Sequence, residues 1–315
     1  RGNSYRDLGQ DQRAIEDYDQ AIEDYKQAIE DFEQAIELDE YGLVLGPRTA
    51  ENDRDISESC LYECAVAQDE EDDDEDELEV DHFDGVIEDD PYKATAYNNR
   101  GSFYSYHGQH KRAIEDFDKA IDLDPNFAYA YRNRGDSYNN LGQYQSAIED
   151  FDKAIDLDPN DPWIYDNRGD SYRRLGQHER AIEDYDKAIE LNPNYAWVYY
   201  NRGISYRRLG QHERAIEDYD KAIELDPNDA WVYNNRGFSY RRLGQHERAI
   251  EDYDKAIGLD PNRSPAYNNR GFSYSNLGQY QWAIDDFDQA IELNPNFAWV
   301  YNNRGFSYRR LGQHE

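Results

Sequence analysis

One block of the sequence carries His, Glu, Arg and Asp in a fixed order, and these residue types bind metals or transfer protons. The block RRLGQHERAIEDYDKAI occurs unchanged at 173–189, 207–223 and 241–257. Its His-Glu pair matches the start of a zinc-binding HExxH helix, in which a second His follows one turn later and faces the same metal. After His178, Ile182 stands at that place. We therefore expect neither a metal site nor catalysis in this block.

Chemistry elsewhere in the chain has even less support. Cys60, Cys64 and His82 form a loose metal-binding set, but no second Cys pair accompanies them. The sequence has no phosphate-binding glycine loop and no nucleophile with an adjacent base. We expect no catalytic residues, no metal and no cofactor, and the chain is predicted not to be an enzyme.

The spacing between the copies of the block is more informative than its side chains. Each copy starts 34 residues after the last, and a period between about 20 and 50 residues is typical of stacked helical or strand units. Placing the Pro of each D/N-P-N motif at position 32 defines six complete units and a truncated seventh. The units are 94–127, 128–161, 162–195, 196–229, 230–263 and 264–297, and the seventh covers 298–315.

The hydrophobic pattern inside a unit predicts two helices. In the third unit, Tyr165 and Tyr172 lie on one face of a first helix, helix A, and Ile182 and Ile189 lie on one face of a second, helix B. Gly176 between them is expected to end helix A in a left-handed conformation. The sequence therefore predicts a chain of helical hairpins.

Eight positions recur in register through the units: in the third unit they are Tyr165, Gly169, Tyr172, Leu175, Ala181, Tyr185, Ala188 and Pro193. This pattern resembles the tetratricopeptide repeat, and the resemblance covers about 70% of the chain. It implies an all-α fold, an α-solenoid (superhelix) of stacked antiparallel helix hairpins, whose A helices line a concave groove for extended peptides. The sequence departs from the repeat at position 7, which is Arg100, Arg134, Arg168, Arg202, Arg236, Arg270 or Arg304. We expect these Arg stems to pack while each guanidinium reaches water or a carboxylate.

Residues 1–40 are predicted to form a partial hairpin with a lengthened second helix. There Ile15, Tyr18, Ile22 and Tyr25 continue at heptad spacing and give the apolar seam of a coiled coil. The seam either mediates self-association through residues 14–38 or packs on its own hairpin. Because the sequence begins and ends inside a repeat, we expect it to be a piece of a longer chain.

Residues 41–93 interrupt the repeats, and residues 1–93 together carry most of the net negative charge, with 33 acidic and 7 basic residues. The formal net charge is −35, and its densest part is the tract 69–90, with 15 acidic residues and no Lys or Arg. Such a tract repels itself and is expected to be disordered. The overall charge disfavours nucleic acid as a partner, and no run is apolar enough to span a membrane. With two Cys in one short stretch, a reducing compartment, the cytoplasm, is the expected location.

Within 94–315 the A helices are basic and the remainder of each unit is acidic. Positions 1–14 contain 16 Arg and three Asp. By the resemblance, the peptide groove would present the following side chains. They are Asn167, Asn201, Asn235 and Asn269 at position 6, Ile204, Phe238 and Phe272 at position 9, and Arg173, Arg174, Arg207, Arg208, Arg241 and Arg242 at positions 12 and 13. Asn can hold a peptide backbone and Arg can bind a carboxylate with two hydrogen bonds, so the expected partner is an extended acidic and partly apolar peptide segment.

Several interpretations stay open at this point. The Arg side chains could instead pair with acids of helix B as solvated ion pairs. The preferred function is a non-catalytic protein-interaction scaffold, with the tract 69–90 as a regulator that occupies the groove. One alternative is that the tract serves as a chaperone or decoy for basic proteins such as histones. Another is that the repeats select clients for a larger enzyme or signalling protein.

Overall fold

The computed structural model of the protein describes residues 92–296 and 298–312, together with a few residues between 83 and 90. The hairpin predicted at 1–40, the coiled-coil contact at 14–38 and nearly all of the insertion 41–93 lie outside the described residues. None of the described helices is both long and apolar enough to cross a bilayer. In the same part of the chain, no group of three or more His, Cys, Asp or Glu side chains could hold a metal ion.

Helices alternate with short turns from Ala94 to Gly312. In chain order they are α1 Ala94–Tyr106, α2 His110–Leu123, α3 Ala128–Asn140, α4 Tyr144–Leu157, α5 Pro162–Arg174, α6 His178–Leu191, α7 Ala196–Arg208, α8 His212–Leu225, α9 Ala230–Arg242, α10 His246–Leu259, α11 Ser264–Asn276, α12 Tyr280–Leu293 and α13 Ala298–Gly312. Odd-numbered helices are the A helices and even-numbered helices are the B helices. The predicted all-α solenoid of stacked hairpins is confirmed.

The described residues fall into two compact units, one ending at Ser171 and the other beginning at Tyr172. In the second unit, each A helix contacts its own B helix and the A helix of the next hairpin, as α7 contacts α8 and α9. Among the helices of that unit, successive B helices make no such contact. The A helices therefore form the more closely spaced side of the unit.

Five of the hairpins close where an A-helix glycine meets a B-helix aromatic ring. Tyr219 is completely buried, and a Cβ built on Gly203 would lie 2.6 Å from its Cε1 atom. Real Cβ atoms do not approach a ring carbon so closely, so only a glycine allows this contact. The same relationship joins Gly101 to Phe117, Gly135 to Phe151, Gly237 to Tyr253 and Gly271 to Phe287.

A second glycine ends each A helix. Gly176 has a φ of 73° and Gly210 a φ of 75°, which confirms the predicted left-handed turn. Past Gly210, the backbone N–H of Gln211 donates to the carbonyl of Tyr206 at 2.9 Å. This bond satisfies a carbonyl group at the end of α7 and directs the chain into α8.

The Arg at position 7 joins three helices. Arg202 donates through Nε and Nη2 to Asp218 of its own hairpin, at 2.9 and 2.6 Å, and through Nη1 to Asp186 of the preceding hairpin, at 2.5 Å. Asp218 is only 4% exposed. Burial raises the pKa of the Asp218 carboxyl, and the hydrogen bonds and charge of Arg202 oppose that rise. Arg236 makes the same three bonds with Asp252 and Asp220. The expectation that these guanidinium groups reach carboxylates is confirmed.

Candidate peptide-binding face

Corresponding positions of α7, α9 and α11 stand side by side because the repeat places these A helices in direct contact. The side chains at positions 9 and 12 form an alternating stack across them. The guanidinium carbon of Arg207 lies 5.0 Å from the ring centroid of Phe238. That of Arg241 lies 4.7 Å from Phe238 and 4.6 Å from Phe272. We call these four half-buried residues, Arg207, Phe238, Arg241 and Phe272, the Arg–Phe column. Each distance is within the range of a cation–π contact.

The Arg residues at the ends of α7 and α9 differ from those at position 7 in their partners. Arg202 and Arg236 are each bound by two carboxylates. Among the described residues, no salt bridge involves the four Arg at positions 12 and 13 of α7 and α9, which are Arg207, Arg208, Arg241 and Arg242. Of these, Arg208 and Arg242 are exposed. Pairing with helix B thus accounts for the Arg at position 7 and not for these four.

His212, at the start of α8, lies against the same cluster of positive charge. Its ring centroid is 6.4 Å from that of Phe238, and its Nδ1 atom is buried with no hydrogen-bond partner among the described residues. Burial lowers the pKa of His212, and the charges of Arg242 and Arg207 lower it further against the opposing charge of Glu213. Burial is the larger cause, and the two Arg charges add a local positive potential that favours an anionic ligand.

Two further polar groups are buried beside each other at the column, the Nε of Arg207 and the hydroxyl of Tyr219. Burial raises the pKa of Tyr219, and the charge of Arg207 beside it opposes the rise. The same pair recurs one hairpin later as Arg241 Nε and the Tyr253 hydroxyl.

The Asn residues at position 6 bond to neighbouring A helices. The Nδ2 of Asn235 donates to the Tyr200 hydroxyl at 3.0 Å, and the Nδ2 of Asn269 donates to Asn234 Oδ1 at 3.2 Å. Asn201 is only 2% exposed. Burial raises the pKa of Tyr200 to about 12, so its hydroxyl stays protonated at neutral pH. The amides of Asn235 and Asn269 hold the A helices in register, and their Nδ2 donors already make hydrogen bonds within the protein.

Asn167 belongs to the first compact unit, apart from the Arg–Phe column. Its Nδ2 donates to Asp136 Oδ1 at 2.7 Å, and its carbonyl accepts from Asn139 Nδ2 at 3.3 Å. The A helices α1 and α3 are also linked by Asn133, which donates to Asn98 at 3.1 Å. This unit carries a network of Asn and Asp where the second unit carries Arg and Phe.

The remaining predicted residues lie near the start of the second unit. Arg173 is half-buried and Arg174 is exposed at the end of α5. Burial, then the charges of Arg208 and Arg173, lower the pKa of His178. Ile204 occupies the place of the Phe in later hairpins, but it packs against the buried tyrosine cluster of α7 and α8.

Arg263 was missed in the sequence, although it contributes to this side of the second unit. Its guanidinium carbon lies 3.7 Å from the ring centroid of Trp231, whose side chain is 44% exposed. A basic residue at position 34, where the preceding unit has Asp229, is the signal that could have found it. Trp197 and Trp299 are also exposed on their A helices.

Stacked helical hairpins that expose a polar face define a helical-repeat scaffold. Profiles of the tetratricopeptide repeat match residues 94–127, 196–229, 230–263 and 264–297. Other profiles of the same repeat match 1–32, 117–149, 135–176, 169–210 and 287–315. The chain belongs to the tetratricopeptide repeat family and is a protein-interaction scaffold of that class.

Solved structures agree with this assignment. YrrB, described as a TPR protein with an unusual peptide-binding site, is 28% identical over 58% of this chain and 95% of its own, with a TM-score of 0.51. MamA from Desulfovibrio magneticus RS-1 is 26% identical over 54% of this chain and 96% of its own, with a TM-score of 0.52. The APC/C hetero-tetramer Cut9-Hcn1 is 20% identical over 74% of this chain and 46% of its own, and its TM-score of 0.62 shows a shared fold. A search of curated proteins gives no match.

Proposed function

We propose that the second unit binds an extended acidic and partly apolar segment of another protein along the Arg–Phe column, with Arg208 and Arg242 beside it. One observation supports this most directly. The chain contains 69 acidic residues, yet the four Arg at the ends of α7 and α9 form no salt bridge within the described residues, while Arg202 and Arg236 bind two carboxylates each. Carboxylates of a partner protein would form the salt bridges that these four Arg residues lack.

The column suits carboxylates because Arg presents a planar fork that binds two oxygens at once. The rings of Phe238 and Phe272 lie against the guanidinium of Arg241 and restrict its orientation. A pre-oriented guanidinium loses less conformational entropy on binding. The half-buried rings also offer apolar contact to the partner, so apolar residues would stand between the acidic ones in the bound segment.

The spacing of the helices sets the expected spacing of acids in the partner. Packed helices lie ~8–10 Å apart, so equivalent Arg residues in α7 and α9 are separated by about that distance. A polyproline II segment rises ~3.1 Å per residue and repeats every three residues, so side chains three apart are ~9 Å apart on one face. We therefore expect the partner to present Asp or Glu at every third residue. The proposal includes no catalytic step.

The chain's own tract at 69–90 has the charge that this face would bind, with 15 acidic residues. As part of the proposal, this tract competes with the partner for the Arg residues. A protein is favoured over a nucleic acid as the partner, because the net charge of −35 repels phosphate while the four unpaired Arg act only locally.

The proposal is tested by titrating synthetic peptides of equal length into the 315-residue chain and measuring affinity by fluorescence anisotropy. One peptide has Glu at every third residue, a second has the same Glu residues in one block, and a third replaces Glu by Gln. We expect the first to bind at least tenfold more tightly than the second, and the third not to bind. Equal affinity for the Glu and Gln peptides would show that carboxylates are not recognised.

A further inference from the structure

We infer that the hairpin of α11 and α12 binds an arginine side chain of a partner in a notch between Tyr274 and Trp282. This site is distinct from the Arg–Phe column and takes the opposite charge. We call it the Tyr–Trp notch, and its lining residues are Tyr267, Tyr274, Trp282, Asp285 and Gln289.

Neighbouring hairpins show what this place accommodates. In the hairpin of α7 and α8, the guanidinium carbon of Arg214 lies 4.0 Å above the ring of Tyr206, and its Nη2 donates to the Tyr206 hydroxyl at 2.6 Å. Arg248 covers Tyr240 with the same two distances. In each case the chain supplies an arginine to the face and hydroxyl of a tyrosine.

The hairpin of α11 and α12 has the tyrosine without the arginine. Tyr274 stands where its neighbours have Tyr206 and Tyr240, whereas Trp282 replaces Arg214 and Arg248. Within the described residues, no guanidinium stacks on Tyr274. Instead the Trp282 ring lies 6.1 Å from the Tyr274 ring, inclined by 34°, and the Trp282 side chain is 64% exposed.

A cavity of about 280 Å³ lies beside the two rings. Arg270 and Asp286 also line it, but Arg270 is paired there with both Asp286, at 2.6 Å, and Asp254, at 2.5 Å. Asp285 adds a further carboxylate, which accepts a hydrogen bond from Gln281 at 3.0 Å and is exposed. The local charge is therefore negative, which favours a cation.

The guanidinium group fits this notch better than other organic cations. It is flat and weakly hydrated, so it stacks on aromatic rings, and a cation within about 6 Å of a ring centroid is attracted to it. It can also donate to the Tyr274 hydroxyl, as Arg214 does to Tyr206. A trimethylammonium group would stack but has no hydrogen to donate. The structure of the neighbouring hairpins thus points to the arginine side chain of an extended partner segment.

The test uses the full chain labelled with ¹⁵N at its five Trp residues. The probe is an acetylated and amidated Gly-Ser-Arg-Ser-Gly peptide, and its matched control has neutral citrulline in place of Arg. The Trp282→Arg variant identifies the indole N–H signal of Trp282, because that signal is missing from its spectrum. We expect the Arg peptide to shift this signal and the citrulline peptide to leave it unmoved. Equal shifts with both peptides would overturn the inference.

Two variants test the origin of the site. Trp282→Arg introduces the residue of the neighbouring hairpins, so it should fold normally and fill the notch, weakening binding of the Arg peptide at least tenfold. Arg248→Trp should create an equivalent notch at Tyr240 and add a second site for the peptide. Retained binding in Trp282→Arg would contradict the inference. Binding of acidic peptides at the Arg–Phe column should be unchanged in both variants, so the two proposals can fail separately.

Discussion

The guanidinium carbon of Arg241 lies 4.6 Å from the ring centre of Phe272, which belongs to the next A helix. Together with the contact to Phe238 in its own helix, this places one cation between two aromatic rings. Stacking leaves the edges of the guanidinium, where its N–H groups point, available for hydrogen bonds. The relationship is the basis of the proposed carboxylate recognition.

The rings of the Arg–Phe column should contribute to binding through the Arg residues that they orient. We expect Phe238→Leu to weaken binding of the acidic peptide by about 1–2 kcal/mol, because it removes the stacking partner of both Arg207 and Arg241. Phe306→Leu, which removes a ring near Arg309 of the last helix, is the matched control and should have little effect. A double-mutant cycle of Phe238→Leu with Arg241→Ala should show coupling between the two residues. Additive losses would mean that the ring does not act through Arg241.

The Arg at position 7 should contribute mainly to stability. Asp218→Ala removes the buried partner of Arg202 and is expected to cost about 3–5 kcal/mol of unfolding free energy. Asp186→Ala removes the exposed partner of the same Arg and should cost about 0–1 kcal/mol. Urea denaturation of the two variants gives the comparison. Similar losses would show that burial of Asp218 does not decide its contribution.

Close helix contact at Gly203 gives a third prediction. Gly203→Ala would place a Cβ 2.6 Å from Tyr219, and the overpacking should outweigh the helix propensity that Ala gains, for a net loss of about 1–2 kcal/mol. Gly258 is also helical, but nothing lies within 4 Å of the Cβ it would acquire. Gly258→Ala should therefore stabilise the protein by about 0.5–1 kcal/mol in the same denaturation experiment. Stabilisation by both substitutions would rule out steric conflict at Gly203.

The pKa of His212 predicts how stability changes with pH. Its value is lowered in the folded protein by burial and by the charges of Arg242 and Arg207, so the unfolded chain binds this proton more readily. The stability it contributes is complete above the unfolded pKa of about 6.5 and is lost as pH falls below that value. His178 acts in the same direction. The double variant His178→Gln, His212→Gln should lose less stability than the parent chain between pH 7.5 and 5.5, as measured by thermal unfolding.

The same histidine should report on ligand binding. Carboxylates bound at Arg207 and Arg242 would cancel part of the charge that lowers the pKa of His212. Binding of the acidic peptide should then raise this pKa and take up protons near pH 6, which NMR titration of the imidazole measures directly. An unchanged pKa in the complex would place the peptide away from these Arg residues.

Deletion of the acidic tract 69–90 distinguishes the proposed scaffold function from the alternative that the tract binds basic proteins. If residues 69–90 compete for the Arg–Phe column, their deletion should leave acidic-peptide binding equal or tighter. If the tract instead captures basic proteins, the deletion should abolish binding of histones and leave acidic peptides unaffected. The affinities for histones and for the acidic peptide can both be measured with the full chain and with the deletion variant.

For the part of the chain that the structure describes, the fold could be predicted almost entirely from the sequence, because period, glycine positions and aromatic spacing all follow from hairpin packing. The contacts of the individual Arg residues could not be predicted in this way. Positions 7 and 12 lie on the same helix, but five residues turn the helix by about 140° beyond a full turn, so Arg202 faces two helix-B carboxylates and Arg207 faces the next A helix. The sequence pattern records both simply as Arg on helix A.

The Tyr–Trp notch is a second feature that could not be predicted from the sequence alone. Trp282 is visible in the sequence as a departure from the Arg of the neighbouring units. Its significance depends on the stacking of Arg214 and Arg248 on tyrosines eight residues earlier, which only the three-dimensional structure shows.

We propose that the Arg residues without salt bridges at the ends of α7 and α9 bind carboxylates of a partner. This proposal is tested most directly by the affinity of the peptide with Glu at every third residue for Arg208→Ala, Arg242→Ala, compared with the control Lys187→Ala, Lys221→Ala. Both double variants remove two positive charges, but the Lys residues lie on B helices and pair with Glu190 and Glu224. We expect the Arg variant to bind the peptide at least tenfold more weakly and its affinity to depend less on salt concentration, with little change in the Lys variant. Equal affinity for the two variants would contradict it.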